Sequence, residues 1–238
     1  DQKWIADPSN RDERYARVRV RKYIENLNDI DIDLKNISKS ITRLTRSQIA
    51  LELMSLKIFN DISSIDNAGY VSIDNAELLV CNEEIQLRIL QMSLNTVSGN
   101  RHISLNSLEN IIRRIQDSNL NITLSGCRVI KNKKDIVIFR ENRNLPRIII
   151  APGDEIIWDN RFIVNLDKEE SSLELEAIGN YAINAEAIKK TNLINIPKNA
   201  LLTLPAGFRD GRLVLLPNIP NIYKGSKLNA CFLYHYKH

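Results

Sequence analysis

Residues 122–141 read ITLSGCRVI, KNKK, DIVIFRE. Two runs rich in β-branched residues flank the polar, basic segment Lys131-Asn132-Lys133-Lys134, a pattern that predicts a β-hairpin with a basic turn. The hydrophobic period changes at this point. Upstream, from residue 34, the chain reads mainly as helix, and downstream it reads as short strands separated by turns. The order of these patterns predicts an α+β fold, in which an α-helical domain closed by a β-hairpin is followed by a smaller, β-rich, barrel-like domain.

Upstream, Ile37, Ile41, Leu44, Leu51, Ile58 and Ile62 recur at three-, four- and seven-residue steps, which predicts a long helix over 34–63 with one buried stripe. Tyr70 to Ile73 is a short alternating stretch. Asp74 or Asn75 then caps a second helical pattern that runs through Leu78, Leu79, Ile85, Leu87, Ile89, Leu90 and Leu94 and ends at Ser98-Gly99-Asn100. Ser104 caps a third, with Leu105, Leu108, Ile111, Ile112 and Ile115. Downstream, Asn142 to Pro146 reads as a break between modules. Strands are expected around 147–150, 155–158, 162–166, 173–177, 201–204, 212–216 and 230–236, with a short helix over 184–190. Pro152-Gly153-Asp154, Asp159-Asn160 and Asp210-Gly211 supply turn chemistry between them. The expected organisation is a basic opening segment over 1–22, a mainly helical domain over 23–145 and a β-rich domain over 146–238.

With 238 residues, 43% of them hydrophobic, the chain can build real cores, and its net charge of +4 permits an anionic partner without demanding one. No apolar run is long enough to span a bilayer and no leader-like segment opens the chain, so a soluble, cytoplasmic protein is expected. The first residue is Asp1, and the chain reads as a piece of a longer one. Cys81, Cys127 and Cys231 are odd in number and widely spaced, which supports neither a disulfide framework nor a zinc site; all three read as small core residues. His102, His235 and His238 have no local catalytic partner. Glu83-Glu84 and Glu169-Glu170 read as solvated faces, because adjacent side chains diverge. The glycines form neither GxxxxGK nor GxGxxG, so no nucleotide cradle is visible and neither a metal nor a bound cofactor is expected on this chain.

Cationic residues carry the strongest functional signal. Six cations lie within residues 11–22 against two acids, and arginine grips phosphate bidentately. On a helix, Arg14, Arg17 and Arg21 share one face, with Asp7, Ser9 and Asn10 suited to the turn or cap before it. The alternation from Arg17 to Arg21 equally suits a strand, and a capped helix with a solvated charged face explains the same residues. The second basic stretch, from Arg128 to Arg147, places Lys131, Lys133 and Lys134 at a hairpin tip, where they can contact RNA phosphates or simply keep the tip soluble.

The segment Trp4-Ile5-Ala6-Asp7-Pro8-Ser9-Asn10, followed by Tyr15, Arg17 and Arg21, resembles the motif that closes the catalytic domain of the tRNA(Ile)-lysidine synthetase family, with Val18 at a position where Asn is common. Leu124 to Arg128, Phe139 to Glu141, Pro152-Gly153 with Trp158 to Phe162, and Leu204 to Ala206 with Asp210 to Leu213 resemble later segments of its alphaproteobacterial branch, in the same order. The resemblance implies an ATP- and magnesium-dependent carbon–nitrogen ligase. That enzyme adenylates the wobble cytidine of the CAU-anticodon isoleucine tRNA and lets the amine of free lysine displace AMP. It further implies that this chain corresponds to the end of the catalytic domain plus two C-terminal domains, that it lacks the Ser-Gly-Gly-x-Asp-Ser phosphate loop, and that alone it binds tRNA and is inactive. Carried over residue by residue, Asp7, Ser9 and Asn10 belong to the motif, and Arg17 and Arg21 would face the active site, where an arginine stabilises charge developing on the α-phosphate. Arg14, Lys131, Lys133 and Lys134 are further tRNA-contact candidates. The glycine- and lysine-rich run of many relatives is missing from the last domain. A homodimer is one allowed assembly, and a non-catalytic RNA-binding or scaffold module is the rival reading of the same basic segments.

Overall fold

A computed structural model describes residues 14–29, 34–99, 102–117, 119–179, 196–220 and 224–233. The chain divides into two compact units, Asp1–Leu53 and Met54–His238. The described part of the first unit is helical. It comprises α1 (Ala16–Asp29) and the first part of α2 (Leu34–Ile62). The helix expected over 34–63 is therefore present, but its stripe is not buried along its length. Ile41 is 58% exposed and Leu44 70% exposed, whereas Phe59, near the other end of α2, is buried. Periodicity determines which side chains share a face, and only neighbouring structure decides whether that face is covered.

In the second unit a five-stranded antiparallel sheet has the order β1-β2-β5-β4-β3, with β1 (Ser63–Asp66), β2 (Tyr70–Asp74), β3 (Asn121–Leu124), β4 (Cys127–Lys131) and β5 (Asp135–Arg140). The expected hairpin is β4–β5, paired from Cys127 opposite Arg140 to Lys131 opposite Ile136. Its first arm is not one strand. Ser125 and Gly126 both take positive φ, 48° and 76°, and fold residues 121–131 into the two strands β3 and β4. A two-residue loop with both φ positive matches the right-handed strand twist.

Helices cover one face of this sheet. They are α3 (Asn75–Val80), α4 (Glu83–Ser98) and α5 (Leu105–Arg114). Asp74 accepts from the backbone N–H groups of Ala76 and Glu77, and Ser104 accepts from that of Ser107, so both caps read from the sequence form. The helical pattern expected from residue 75 to Leu94 is interrupted. Cys81 and Asn82 are extended and separate α3 from α4, and Gly99 at φ 68° ends α4 in the left-handed conformation. Ile89, Leu90 and Leu94 of α4 are buried together with Val71, Ile73, Val129, Ile136 and Ile138 of the sheet.

The remaining strands build two further four-stranded sheets. One runs β6-β9-β10-β11, with β6 (Ile148–Ile150), β9 (Leu173–Ala177), β10 (Pro205–Arg209) and β11 (Arg212–Leu215). The other runs β7-β8-β13-β12, with β7 (Glu155–Trp158), β8 (Phe162–Leu166), β12 (Pro217–Asn218) and β13 (Leu228–Phe232). The fold is α+β as expected, but the barrel-like end is two open sheets; they do not close into a barrel. Residues 198–201, partly assigned to a strand from sequence, form the short helix α6 (Lys198–Leu201), and the strand begins after it at Pro205. The short helix expected over 184–190 lies outside the described residues.

One apolar cluster fills the interior of these sheets, including Trp158, Phe162, Leu175, Phe208 and Phe232, and Ile65, Tyr70, Ile130 and Val137 from the first sheet pack against it. Of the three cysteines expected in the core, only Cys127 is buried; Cys81 is half-buried and Cys231 exposed. On β13 the side chains of Leu228, Ala230 and Phe232 point inward, which turns Cys231 to the opposite face. The Tyr70 hydroxyl donates to Asp66 at 3.2 Å, and burial followed by the Asp66 charge pushes its pKa up to about 12. The folded state thus holds the phenol proton more tightly than the unfolded chain does, so stability is complete below pH 10 and falls between about pH 10 and 12. Alkaline unfolding followed by circular dichroism is expected to show this loss in the parent protein, with a shallower loss over the same interval in Tyr70→Phe.

Candidate nucleic-acid interface

The basic segment at the start of α1 is helical, which decides between the two readings of its alternation. Arg17 and Arg21 lie one turn apart on α1 and are exposed, whereas Arg14 sits in the turn before the helix. Arg14 is therefore not part of the helical face expected from its spacing, because the helix begins at Ala16. Its carbonyl accepts from Nη1 of Arg19 at 3.0 Å, and the Arg17 guanidinium lies 5.3 Å from the centre of the Tyr15 ring. A cation over an aromatic face is held in place while its outer edge stays available to an acceptor. Asp7, Ser9 and Asn10 lie outside the described residues.

The hairpin-tip lysines differ from one another. Nζ of Lys131 donates to the carbonyl of Ile115 at 2.6 Å, so its charge sits at the C-terminal end of α5, where a helix presents unpaired carbonyls and partial negative charge. This gives Lys131 a structural partner and ties α5 to the hairpin tip. Lys133 and Lys134 are exposed in the turn itself, which Asn132 closes by accepting from the backbone N–H groups of Lys134 and Asp135. Arg113 in the last turn of α5 is also exposed. The bond from Lys131 thus brings two exposed turn lysines toward the basic end of a helix.

The most strongly held charges were read from sequence only as turn residues and matched segments. Arg140, at the end of β5, donates through Nε and Nη2 to the two carboxylate oxygens of Asp159 at 2.9 and 3.2 Å. Arg161 donates through Nε to the same carboxylate at 2.7 Å and through Nη2 to the carbonyl of Thr203. Both guanidinium side chains are fully buried, and burial lowers the Arg161 pKa to about 10. Among the described residues, Nη1 of Arg161 has no hydrogen-bond partner, and the guanidinium lies 5.0 Å from the Phe162 ring centre. This cluster joins the hairpin sheet to the β7–β8 turn; its burial makes it a structural centre and not a surface for RNA. An aspartate between two arginines separated by 20 residues carries no local pattern that would have revealed it.

The described features define an α+β chain with cationic side chains exposed on helix α1 and at a hairpin tip. No family model matches the chain. It is similar to the tRNA(Ile)-lysidine synthase of Wolbachia pipientis wMel, with 28% identity over 242 residues that cover 95% of this chain and 53% of the relative. The tRNA(Ile)-lysidine synthases of Rickettsia typhi and Brucella anthropi are 25% and 27% identical, over 91% and 90% of this chain. The chain spans about half the length of these curated relatives. Among the described residues, no helix is long and apolar enough to cross a membrane.

Proposed function

We propose that this chain is the tRNA-contacting, C-terminal part of a tRNA(Ile)-lysidine synthase. In that reading, the complete enzyme uses ATP to activate the wobble cytidine of the CAU-anticodon isoleucine tRNA and joins lysine to it. The observation that carries the reading is a similarity that extends over nine-tenths of the chain to several proteins bearing that name. The exposed cations on α1 and at the β4–β5 tip support it, because phosphate contacts supply most of the affinity for RNA and require accessible positive charge.

In this chain, Arg17 and Arg21 would engage phosphate at the junction with the catalytic half, and Lys133 and Lys134 would engage the RNA backbone elsewhere. A planar guanidinium suits the first task, as it can donate two parallel hydrogen bonds to one phosphate. The sequence contains none of the patterns GxxxxGK, GxGxxG and Ser-Gly-Gly-x-Asp-Ser. In this reading, ATP, magnesium and the lysine substrate belong to the other half of the enzyme, and the 238-residue chain alone is expected to form no lysidine.

Binding to the unmodified CAU-anticodon isoleucine tRNA, titrated against salt with methionine tRNA beside it, tests this function. Selective binding is expected, with the logarithm of affinity falling by roughly 0.7 to 0.9 per logarithmic unit of salt for each phosphate engaged. Arg17→Ala and Arg21→Ala should each weaken binding and lower that slope by about one contact. Equal affinity for the two tRNAs would favour a generic RNA-binding module, and absence of binding would overturn the tRNA-contacting role.

A further inference from the structure

Between the β3–β4–β5 end of the first sheet and helix α6 lies a cavity of about 400 Å³, lined by Asn121, Thr123, Arg128, Glu141, Asn142 and Asn199 with Arg140 in its wall. Its chemistry is unlike that of the apolar interior around it. Thr123 and Arg128 are register partners on β3 and β4, and Nε of Arg128 donates to Oδ1 of Asn121 at 2.9 Å, which fixes the guanidinium on this face. The Arg140 guanidinium is engaged by Asp159 and by the carbonyls of Gly126 and Glu141, so it is a rigid part of the wall whose charge is already paired. Apart from the apolar Leu202, the remaining side chains offer three amides, a hydroxyl, a carboxylate and the outer nitrogens of Arg128.

We propose that this seam pocket binds a single nucleotide, with the phosphate on Arg128 and the base edge against Glu141, Asn142 and Asn199. A bare anion would be repelled by Glu141, and an apolar ligand would leave the amides unpaired. A nucleotide satisfies both halves of the lining. Amide side chains donate and accept at once, as a base edge requires, and a carboxylate accepts from an exocyclic amine, which favours cytosine, adenine or guanine over uracil. Single-stranded RNA is read in this way, by unstacked bases hydrogen-bonded on their edges. The nucleotide can be an unstacked residue of an RNA, in which case the site rests on the tRNA-contacting reading above, or it can be free.

The test uses the whole chain with two kinds of probe, 5′-CMP, 5′-GMP and 5′-UMP as free nucleotides and the isoleucine tRNA transcript. The substitutions are the double variant Asn142→Ala/Asn199→Ala and the single variant Glu141→Gln, with Lys133→Ala/Lys134→Ala as a phosphate-only control. Thermal unfolding verifies that each variant is folded. The expected result is that CMP or GMP binds at least several-fold better than UMP and that the amide variant weakens binding roughly tenfold. For tRNA, the amide variant should lower affinity with little change in salt slope, whereas the lysine variant should lower the slope. Binding of tRNA unaffected by the amide and Glu141 variants, with no mononucleotide bound, would overturn the pocket and leave the tRNA-contacting function standing. Mononucleotide binding lost in these variants, without any tRNA binding, would overturn that function and leave a free-nucleotide site. Failure of both probes would overturn both.

Discussion

Asp159→Asn is expected to destabilise the protein by about 3–5 kcal/mol, read as a lowered denaturation midpoint with an unchanged slope against denaturant. Among the described residues, the carboxylate is the anion bonded to the two buried guanidinium groups, with Arg140 on both its oxygens and Arg161 on one. Asparagine keeps the shape, and it also keeps the backbone comfortable. Residue 159 has φ 51° and asparagine tolerates the left-handed region well, so strain cannot account for the loss. What changes is charge: the substitution leaves two cations in a low-dielectric interior without a counter-ion, and one oxygen that accepted becomes an amide that donates. Removing all three charges together, as Arg140→Met, Asp159→Asn and Arg161→Met, should cost much less than the three single losses summed. A buried ion pair gains little over apolar packing but is expensive to break on one side. A triple variant as unstable as that sum would show that hydrogen bonds to Gly126, Glu141 and Thr203, not the charges, set the stability.

Phe162→Ala is the second large effect, also expected near 3–5 kcal/mol. Phe162 is fully buried at the start of β8, 5.3 Å from the Phe232 ring and 6.4 Å from that of Trp158. The Arg161 guanidinium lies over it, and Cζ reaches to 3.0 Å from where a side chain would begin on Gly69. Truncation would therefore open a cavity where the β1–β2 turn meets the β7–β8 turn, and would expose the orphaned Nη1 of Arg161 to a void. Phe162→Leu, which refills most of the volume, should recover more than half of the loss. Equilibrium unfolding of the two variants measures the difference, and equal losses would mean that the aromatic ring itself, by holding the cation, matters more than the space it fills. Gly69 takes φ 81° and is closed in by Phe162, Arg161 and Phe232, so this turn cannot move aside to fill the gap.

Much of the architecture was legible because local patterns are self-contained. The strands at 155–158, 162–166 and 173–177 have the boundaries expected from their alternation, and the caps at Asp74, Gly99 and Ser104 form as their residue types require. The misreadings have specific causes. The Ser125-Gly126 turn lies inside an otherwise strand-like run, so β3 and β4 merged into one. Strand β10 begins with proline and contains Gly207, both unfavourable in strand interiors, so its local sequence does not predict a strand. Proline is tolerated there as the first residue, and Gly207 sits at a register shift where a side chain would fall 2.8 Å from Leu173.

The candidate site was legible only in part. An excess of arginine and lysine in two segments is visible in the chain, but the role of each residue depends on what lies beside it. Lys131 binds a helix end, Lys133 and Lys134 project from the turn, and Arg140, inside the second basic stretch, is fully buried against Asp159. By itself, the sequence determined the α+β class, most of the elements after residue 34, the basic segments and the likeness to lysidine synthetases, because these rest on residue order and periodicity. Only the tertiary structure decided which apolar stripe is covered, that the two C-terminal sheets stay open, and that Asp159 stands between Arg140 and Arg161. Those outcomes depend on contacts between residues far apart in the chain, and burial, which sets the strength of every charge, is a property of those contacts alone.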